Sequence, residues 1–381
     1  MNTMFLLKNI KLCNGPDFKP KEGLAVLIED GFIRSISPEK DFSEAHVYTV
    51  DGEGAYVLPG LIDCHNHLSL DCSLTDYLER MNHSETELAV IAVKTLEQDL
   101  KSGVTTSRSM GDRFYIDVFC KEAIKSGFMY GPELFVSGIG MRASHGHGYV
   151  GLPFDGEAEL TDAVRANVKN GVDWIKFYAT GTLMQGDHIQ SYYTKKEISC
   201  IIEEAHRSGK LVTTHCIGGE ALLDSVEMGI DCVEHVYYVG ELEIEALVKS
   251  NTPVCLTPSE YFTDKPNAPA KNQVLFKANR PTVRKSMEMI ISSGIPFVLG
   301  TDGMHGHLWQ EADYAVQFGA TPSVVLSALT ETAAKLLGIE RITGSLKEGL
   351  QADLLLIEGN PLKNIKNLSF VKRVYKKGFA V

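Results

Sequence analysis

The sequence predicts an α/β protein, a (β/α)8 TIM barrel with a small β-sandwich built from both chain termini. Two observations predict the barrel. A helix–glycine–strand unit repeats through the middle of the chain, and eight short β-prone segments occur there, most of them separated by helical stretches, which implies parallel strands. A third observation predicts the sandwich: residues 3–56 and 344–381 hold only short β-like runs between turn residues, and neither end suffices for a core of its own. The expected division is therefore 57–343 for the barrel, with 1–56 and 344–381 forming the small domain. The rival is an open doubly wound sheet, but no G-x-G-x-x-G follows the first strand and eight units suit closure better.

In chain order, Met4–Ile10, Leu24–Glu29, Phe32–Ile36 and Val47–Val50 read as strands of the small domain. Val57–Ile62 is the first barrel strand and leads into His65-Asn66-His67. Ser84-Glu85-Thr86-Glu87 is a capping box that opens a helix with Leu88, Ile91, Ala92 and Leu96 on one face. That helix stops at Ser102-Gly103, and Val104-Thr105-Thr106 begins the second strand. Glu133–Ser137 is the third, and Gly171 precedes the fourth, Asp173–Tyr178. Thr194-Lys195-Lys196-Glu197 opens another capped helix, with Ile198, Ile201, Ile202 and Ala205 on its apolar face, then Gly209 and the fifth strand, Leu211–His215. Gly229 precedes the sixth, Cys232–Val236; Pro253–Thr257 is the seventh; Gly294 precedes the eighth, Ile295–Asp302. Glycine just past a helix end is the expected left-handed cap. Asp353–Ile357 and Phe370–Tyr375 return to the small domain.

Composition narrows the function. Among 381 residues, 49 are acidic and 37 basic, a net charge of −12, with no Lys/Arg-rich run. Nucleic acid and anionic membranes are therefore not expected partners. Only a four-residue apolar patch precedes Lys8, too short for a signal peptide, and no stretch is long enough to span a bilayer. A cytoplasmic enzyme acting on a small-molecule substrate, as a homo-oligomer, is expected. The eight cysteines are scattered without a C-x-x-C, which fits a reducing compartment. Cys64 and Cys216 adjoin candidate ligands, but immediate neighbours in a strand point to opposite faces, so both read as packing residues.

The chemistry starts at His65 and His67. Residues two apart in a strand share a face, so both imidazoles can reach one metal ion. His215 ends the fifth strand, His235 the sixth and Asp302 the eighth, and the carboxyl ends of barrel strands are where such sites sit. Each alone has a bland reading, a core histidine bonded to backbone or an aspartate helix cap. Five on one rim do not. Lys176 lies inside the fourth strand, where an ammonium would repel a metal and desolvation favours the neutral amine. A neutral amine can add carbon dioxide to give a carbamate, an anionic donor able to bridge two metals. The alternative is an ion pair with a nearby carboxylate such as Asp173.

Pro59-Gly60-Leu61-Ile62-Asp63-Cys64-His65-Asn66-His67 resembles the opening metal motif of the amidohydrolase superfamily. Gly103-Val104-Thr105-Thr106, Trp174-Ile175-Lys176, Ala179-Thr180-Gly181, Glu234-His235 and Gly300-Thr301-Asp302 resemble its imidazolonepropionase-like branch, which includes the Xaa-Pro and Xaa-Arg dipeptidases. The tail Gly344-Ser345-Leu346, Gly349, Ala352-Asp353-Leu354 and Gly359-Asn360-Pro361-Leu362 is similar to that branch's return to the sandwich. The resemblance implies that His65, His67 and Asp302 hold one metal and His215 and His235 a second, with carbamylated Lys176 bridging them. Deaminases and imidazolonepropionase proper resemble a mononuclear subtype without the strand-4 lysine, so Lys176 points to the binuclear, dipeptidase-like side. The implied cofactors are two divalent ions. Zinc is expected from the imidazole and carboxylate ligands, with manganese and iron as alternatives.

The implied reaction is hydrolysis of an amide or peptide-like C–N bond by a metal-bridging hydroxide, with Asp302 as general base and a small carboxylate-bearing substrate such as a dipeptide or N-acyl amino acid. Opening of a cyclic amide ring is the second reading, and a catalytically inactive barrel scaffold the third. In Ser144-His145-Gly146-His147-Gly148, His147 aligns with a histidine the branch uses against the substrate carboxylate, and His145 replaces a glycine. Tyr237 resembles a substrate-contacting tyrosine. Arg142 is a further candidate for a carboxylate. Two departures reshape the mouth. Thr182-Leu183-Met184 follows Gly181 where the branch has a second glycine. The loop Gly303-Met304-His305-Gly306-His307 adds two histidines, of which His305 is a candidate substrate contact.

Overall fold

The computed structural model describes residues 4–42, 47–184, 188–265 and 267–381; residues 1–3 and 43–46 of the expected small domain lie outside them. The chain opens with Met4–Cys13 (β1), Pro20–Lys21 (β2), Leu24–Glu29 (β3), Phe32–Pro38 (β4) and Tyr48–Pro59 (β5). Its middle carries Leu61–Asn66 (β6), Val104–Ser109 (β7), Glu133–Phe135 (β8), Met141–Arg142 (β9), Leu152–Pro153 (β10), Trp174–Tyr178 (β11), Leu211–Cys216 (β12), Cys232–His235 (β13), Val254–Leu256 (β14) and Phe297–Leu299 (β15). Leu354–Ile357 (β16), Val371–Lys376 (β17) and Phe379–Ala380 (β18) end it. The result is a mixed α/β fold with parallel sheets.

Both ends of the chain build one sheet, ordered β18-β17-β16-β5-β1-β3-β4, with β2 on β1. The antiparallel pairing of β16 with β5 joins the two termini. Leu7, Ile28, Val57, Leu356 and Tyr375 share its apolar cluster. Phe5 on β1 and Tyr375 on β17 stack at 5.3 Å between ring centroids. In a flat sheet, three strand spacings would hold them roughly 14 Å apart, so the sheet bends back on itself.

The segment expected as one strand, Val57–Ile62, is divided at Gly60. Gly60 N donates to Asp353 O at 2.9 Å, and Leu61 N donates to Gly103 O at 2.9 Å. The chain changes partner across that residue, from the terminal sheet to β7. Gly60 is needed there, because a Cβ would lie 2.1 Å from Thr105 Oγ1.

The parallel strands form two arcs, β6-β7-β8 and β10-β9-β11-β12-β13-β14-β15. Asp173 N and Trp174 N bond Val136 O across one junction, at 2.8 and 3.2 Å. Asp302 N bonds His65 O across the other at 2.8 Å. Both expected capping boxes form, Ser84 with Glu87 and Thr194 with Glu197, opening the helices Glu85–Lys101 and Lys195–Arg207. β9 and β10 were not expected. β9 pairs with β11 and places Arg142 opposite Tyr178.

Candidate metal centre

Strand ends deliver the five rim residues to one cavity of about 80 Å³, lined by His65, His67, His215, His235 and Asp302. One ligand atom each from His65, His67 and Asp302 lies within 4.8 Å of the others. Asp302 Oδ1 stands 3.4 Å from His65 Nε2 and 3.7 Å from His67 Nε2. Donors around a tetrahedral zinc ion at about 2.0–2.1 Å lie roughly 3.3 Å apart, so this spacing suits a shared ion. The His215 and His235 rings follow at 4.3 Å from each other, with His235 4.7 Å from His65.

Each histidine is oriented by its other nitrogen. His67 Nδ1 donates to Gly111 O at 2.7 Å and His215 Nε2 to Gly181 O at 3.2 Å. A carbonyl only accepts, which leaves His67 Nε2 and His215 Nδ1 as lone pairs. His235 Nδ1 bonds Thr257 Oγ1 at 2.7 Å, and its buried Nε2 has no partner among the described residues. Burial pushes His67 down to about 3 and holds His215 and His235 well below the usual imidazole range, so all three imidazoles are neutral. Asp302 is ionised: burial would raise its carboxyl, but His65 and its neighbours hold it well below the usual range.

Backbone geometry aims two of these side chains. His235 and Asp302 take left-handed φ of 78° and 49°, a strained state typical of functional sites. A Cβ at Gly300 would fall 2.3 Å from that of His65. Glycine there lets β15 run against β6 and seat Asp302 beside the histidine pair.

Lys176 is fully buried, and its Nζ has no hydrogen-bond partner among the described residues. The expected alternative, pairing with Asp173, does not form: Asp173 takes Lys121 at 2.7 Å. Burial brings the Lys176 ammonium down to about 8, within reach of the neutral amine that carbamylation needs. Cys64 and Cys216 are buried free thiols packed in apolar clusters.

Beneath the cavity lies a network that sequence reasoning did not assign. Glu234 Oε2 accepts from His65 Nδ1 at 2.7 Å, and its Oε1 accepts from Arg108 at 2.7 Å and from Thr213 Oγ1. Burial would raise Glu234, but Arg108 and then His65 hold it well below the carboxylate range. The signal was present as charged residues inside otherwise buried strands. His65, Glu234 and Cys255 also cluster closely enough for a metal, but both Glu234 oxygens are already engaged. Glu234→Gln is expected to weaken metal affinity by about 10- to 100-fold, read by chelator competition; unchanged affinity would show that the carboxylate does not tune His65.

A family model, the amidohydrolase family, matches residues 56–381. The chain belongs to the amidohydrolase family. Ochratoxinase of Aspergillus niger is 26% identical over 388 residues, covering 92% of this chain and 80% of that protein. Imidazolonepropionase of Shewanella loihica is 23% identical over 385 residues, covering 87% of this chain and 86% of its own. A crystal structure of a Xaa-Pro dipeptidase with bound methionine in the active site matches all of both chains, with a TM-score of 0.87 and 25% identity. This amidohydrolase is thus imidazolonepropionase-like, a hydrolase acting on C–N bonds, in a family that uses divalent metals. Among the described residues, no helix is long and apolar enough to cross a membrane.

The amidohydrolase's expected substrate residues separate. His147 lines the same cavity, 4.6 Å from the His215 ring, with Nε2 3.1 Å from Thr182 Oγ1. His145 is exposed beside Tyr192, in an outer chamber of about 500 Å³ that also touches Leu183 and Phe276. Arg142 is half-buried and donates to Ala143 O and Ser144 O at 3.2 and 3.3 Å. Tyr237 reaches the cavity, but its hydroxyl is engaged with Thr257, at 3.1 Å to O and 2.6 Å to Oγ1.

His305 lies away from the cavity. It is buried, with Nδ1 2.8 Å from Asp99 and Nε2 near His67 O and Leu70 O. Burial alone would lower it, but Asp99, with Asp71 and Asp63, lifts it to about 9. A folded value above the ordinary imidazole value of about 6.5 stabilises fully below that pH, and the contribution is lost as pH rises through about 9. Unfolding free energy should therefore fall across that window in the wild type, and that component should vanish in His305→Gln. Parallel pH profiles for the two proteins would refute the pairing.

Proposed function

We propose that this amidohydrolase holds two divalent cations and hydrolyses the amide C–N bond of a small carboxylate-bearing molecule, such as a dipeptide or an N-acyl amino acid. Its two parallel arcs, bridged at both junctions, support one closed (β/α)8 barrel over 57–343. The stacking of Phe5 on Tyr375 supports a sandwich of 1–56 with 344–381. The observation that carries the two-metal reading is Lys176, a buried amine over the Tyr178 ring with no hydrogen-bond partner among the described residues, whose charge would act on His67, His215 and His235 alike. On this reading His65, His67 and Asp302 would hold one cation and His215 and His235 the other, and Lys176, as its carbamate, would supply an anionic donor to both. Zinc suits this donor set.

Bound there, the cations would make water nucleophilic at neutral pH and polarise the scissile carbonyl. Asp302, ionised and beside both first-strand histidines, takes the proton from the attacking water and passes it to the leaving nitrogen. Glu234 keeps His65 in the tautomer whose Nε2 faces Asp302. His147, held neutral by burial at about 4, offers a hydrogen bond to the substrate carboxylate.

The test is a panel of dipeptides and N-acyl amino acids against cyclic amides, on protein of known metal content. Turnover of the open-chain acids is expected. Turnover of the cyclic amides alone would replace this reading with ring opening, and none on either set would leave an inactive scaffold.

A further inference from the structure

Tyr178 lines the metal cavity but belongs to no ligand set. It is 3% exposed, and its hydroxyl is buried without a hydrogen-bond partner among the described residues. Two other buried polar atoms at this centre share that state, Lys176 Nζ and His235 Nε2, and both have a role in the proposed metal site. Buried polar groups are rarely left unpaired, so an orphaned one needs an explanation. The Tyr237 hydroxyl, by contrast, is engaged with Thr257.

The phenol is fixed in place. Its ring lies 6.1 Å from that of His147 and 5.8 Å from that of His215. A Cβ on Gly140, Gly148 or Gly151 would come within 2.8, 2.8 and 3.0 Å of it, so three glycines make the slot that the ring fills. Arg142 stands opposite Tyr178 in the β9–β11 register, and its buried Nε is also unpartnered among the described residues. Two orphaned donors, one on a cation, thus occupy paired positions of neighbouring strands, and the phenol lies beside His147 on the cavity wall. Among the described residues, the one acidic side chain lining this cavity besides Asp302 is Glu260, which is paired with Lys265. A phenol and an imidazole on the cavity wall, with the Arg142 cation on the neighbouring strand, match a carboxylate, whose two oxygens accept several hydrogen bonds at once.

We propose that the Tyr178 hydroxyl, beside Arg142 and near His147, donates to the substrate carboxylate and so selects acids over their neutral analogues. The assignment rests on the carboxylate-bearing substrate proposed above. Tyr178→Phe removes the hydroxyl and keeps the ring in its glycine slot. The probes are the fastest N-acyl amino acid or dipeptide of the panel and its C-terminal carboxamide. For the acid, KM should rise about tenfold or more, the effect of losing a hydrogen bond to a charged group, with kcat within about twofold. On the carboxamide, whose neutral oxygen accepts a weaker bond, KM should rise clearly less than on the acid, and metal content should stay as in the wild type. An unchanged KM for the acid would overturn the assignment, as would an equal fall in kcat on both probes, which would make the hydroxyl a donor to the reacting carbonyl. Wild-type protein that hydrolyses acid and carboxamide alike would remove the carboxylate reading itself, while leaving the hydrolase and its metals standing.

Discussion

Asp302→Asn is expected to lower kcat by about 10²–10⁴-fold, the range for loss of a positioned proton carrier, with much of the metal retained. The amide keeps one oxygen where Asp302 Oδ1 now stands, 3.4 and 3.7 Å from the two first-strand imidazoles. It cannot take up a proton at neutral pH. The backbone should not respond, because Asp302 N is tied to His65 O and the following residue, Gly303, bonds Cys72 N through its carbonyl. Steady-state kinetics beside metal analysis of the same preparation make the check. Full turnover with metal bound would remove Asp302 from the proton transfer.

Lys176→Ala should remove the bridge and with it the second cation, so that metal content halves and turnover falls by about 10²-fold or more. His215 and His235 would then face a site with no anionic donor shared with the first. The cavity left in β11 has room for a small acid, so acetate or formate should restore part of the activity to this variant and none to Asp302→Asn. A variant that binds as much metal as the wild type and turns over as fast would show that the amine has another role.

These candidate ligands were legible because their spacing is local. His65 and His67 share a face by strand periodicity, and Lys176 announces itself as a charge inside an apolar strand. The capping boxes at Ser84 and Thr194 are likewise chemistry of adjacent residues, and both formed. What stayed hidden depends on distant partners. Within Val57–Ile62, Pro59-Gly60 marks a break, but the partners on either side of Gly60 are set by Asp353 and Gly103 from elsewhere in the chain. Arg108 and Glu234 meet across 126 residues of sequence. His305 looked like a mouth residue from its loop, yet Asp99, 206 residues away, draws it inward. Tyr178 and Tyr237 are alike as sequence, and only the tertiary placement of Thr257 tells a spent hydroxyl from an orphaned one.

The most direct measurement is the metal content of the wild-type chain against turnover, as zinc is titrated into metal-free protein in the presence of bicarbonate. Activity should appear with the second equivalent and saturate at two per chain, and omitting bicarbonate should hold both below that level. Full activity at one equivalent, indifferent to bicarbonate, would contradict a two-metal site bridged by Lys176.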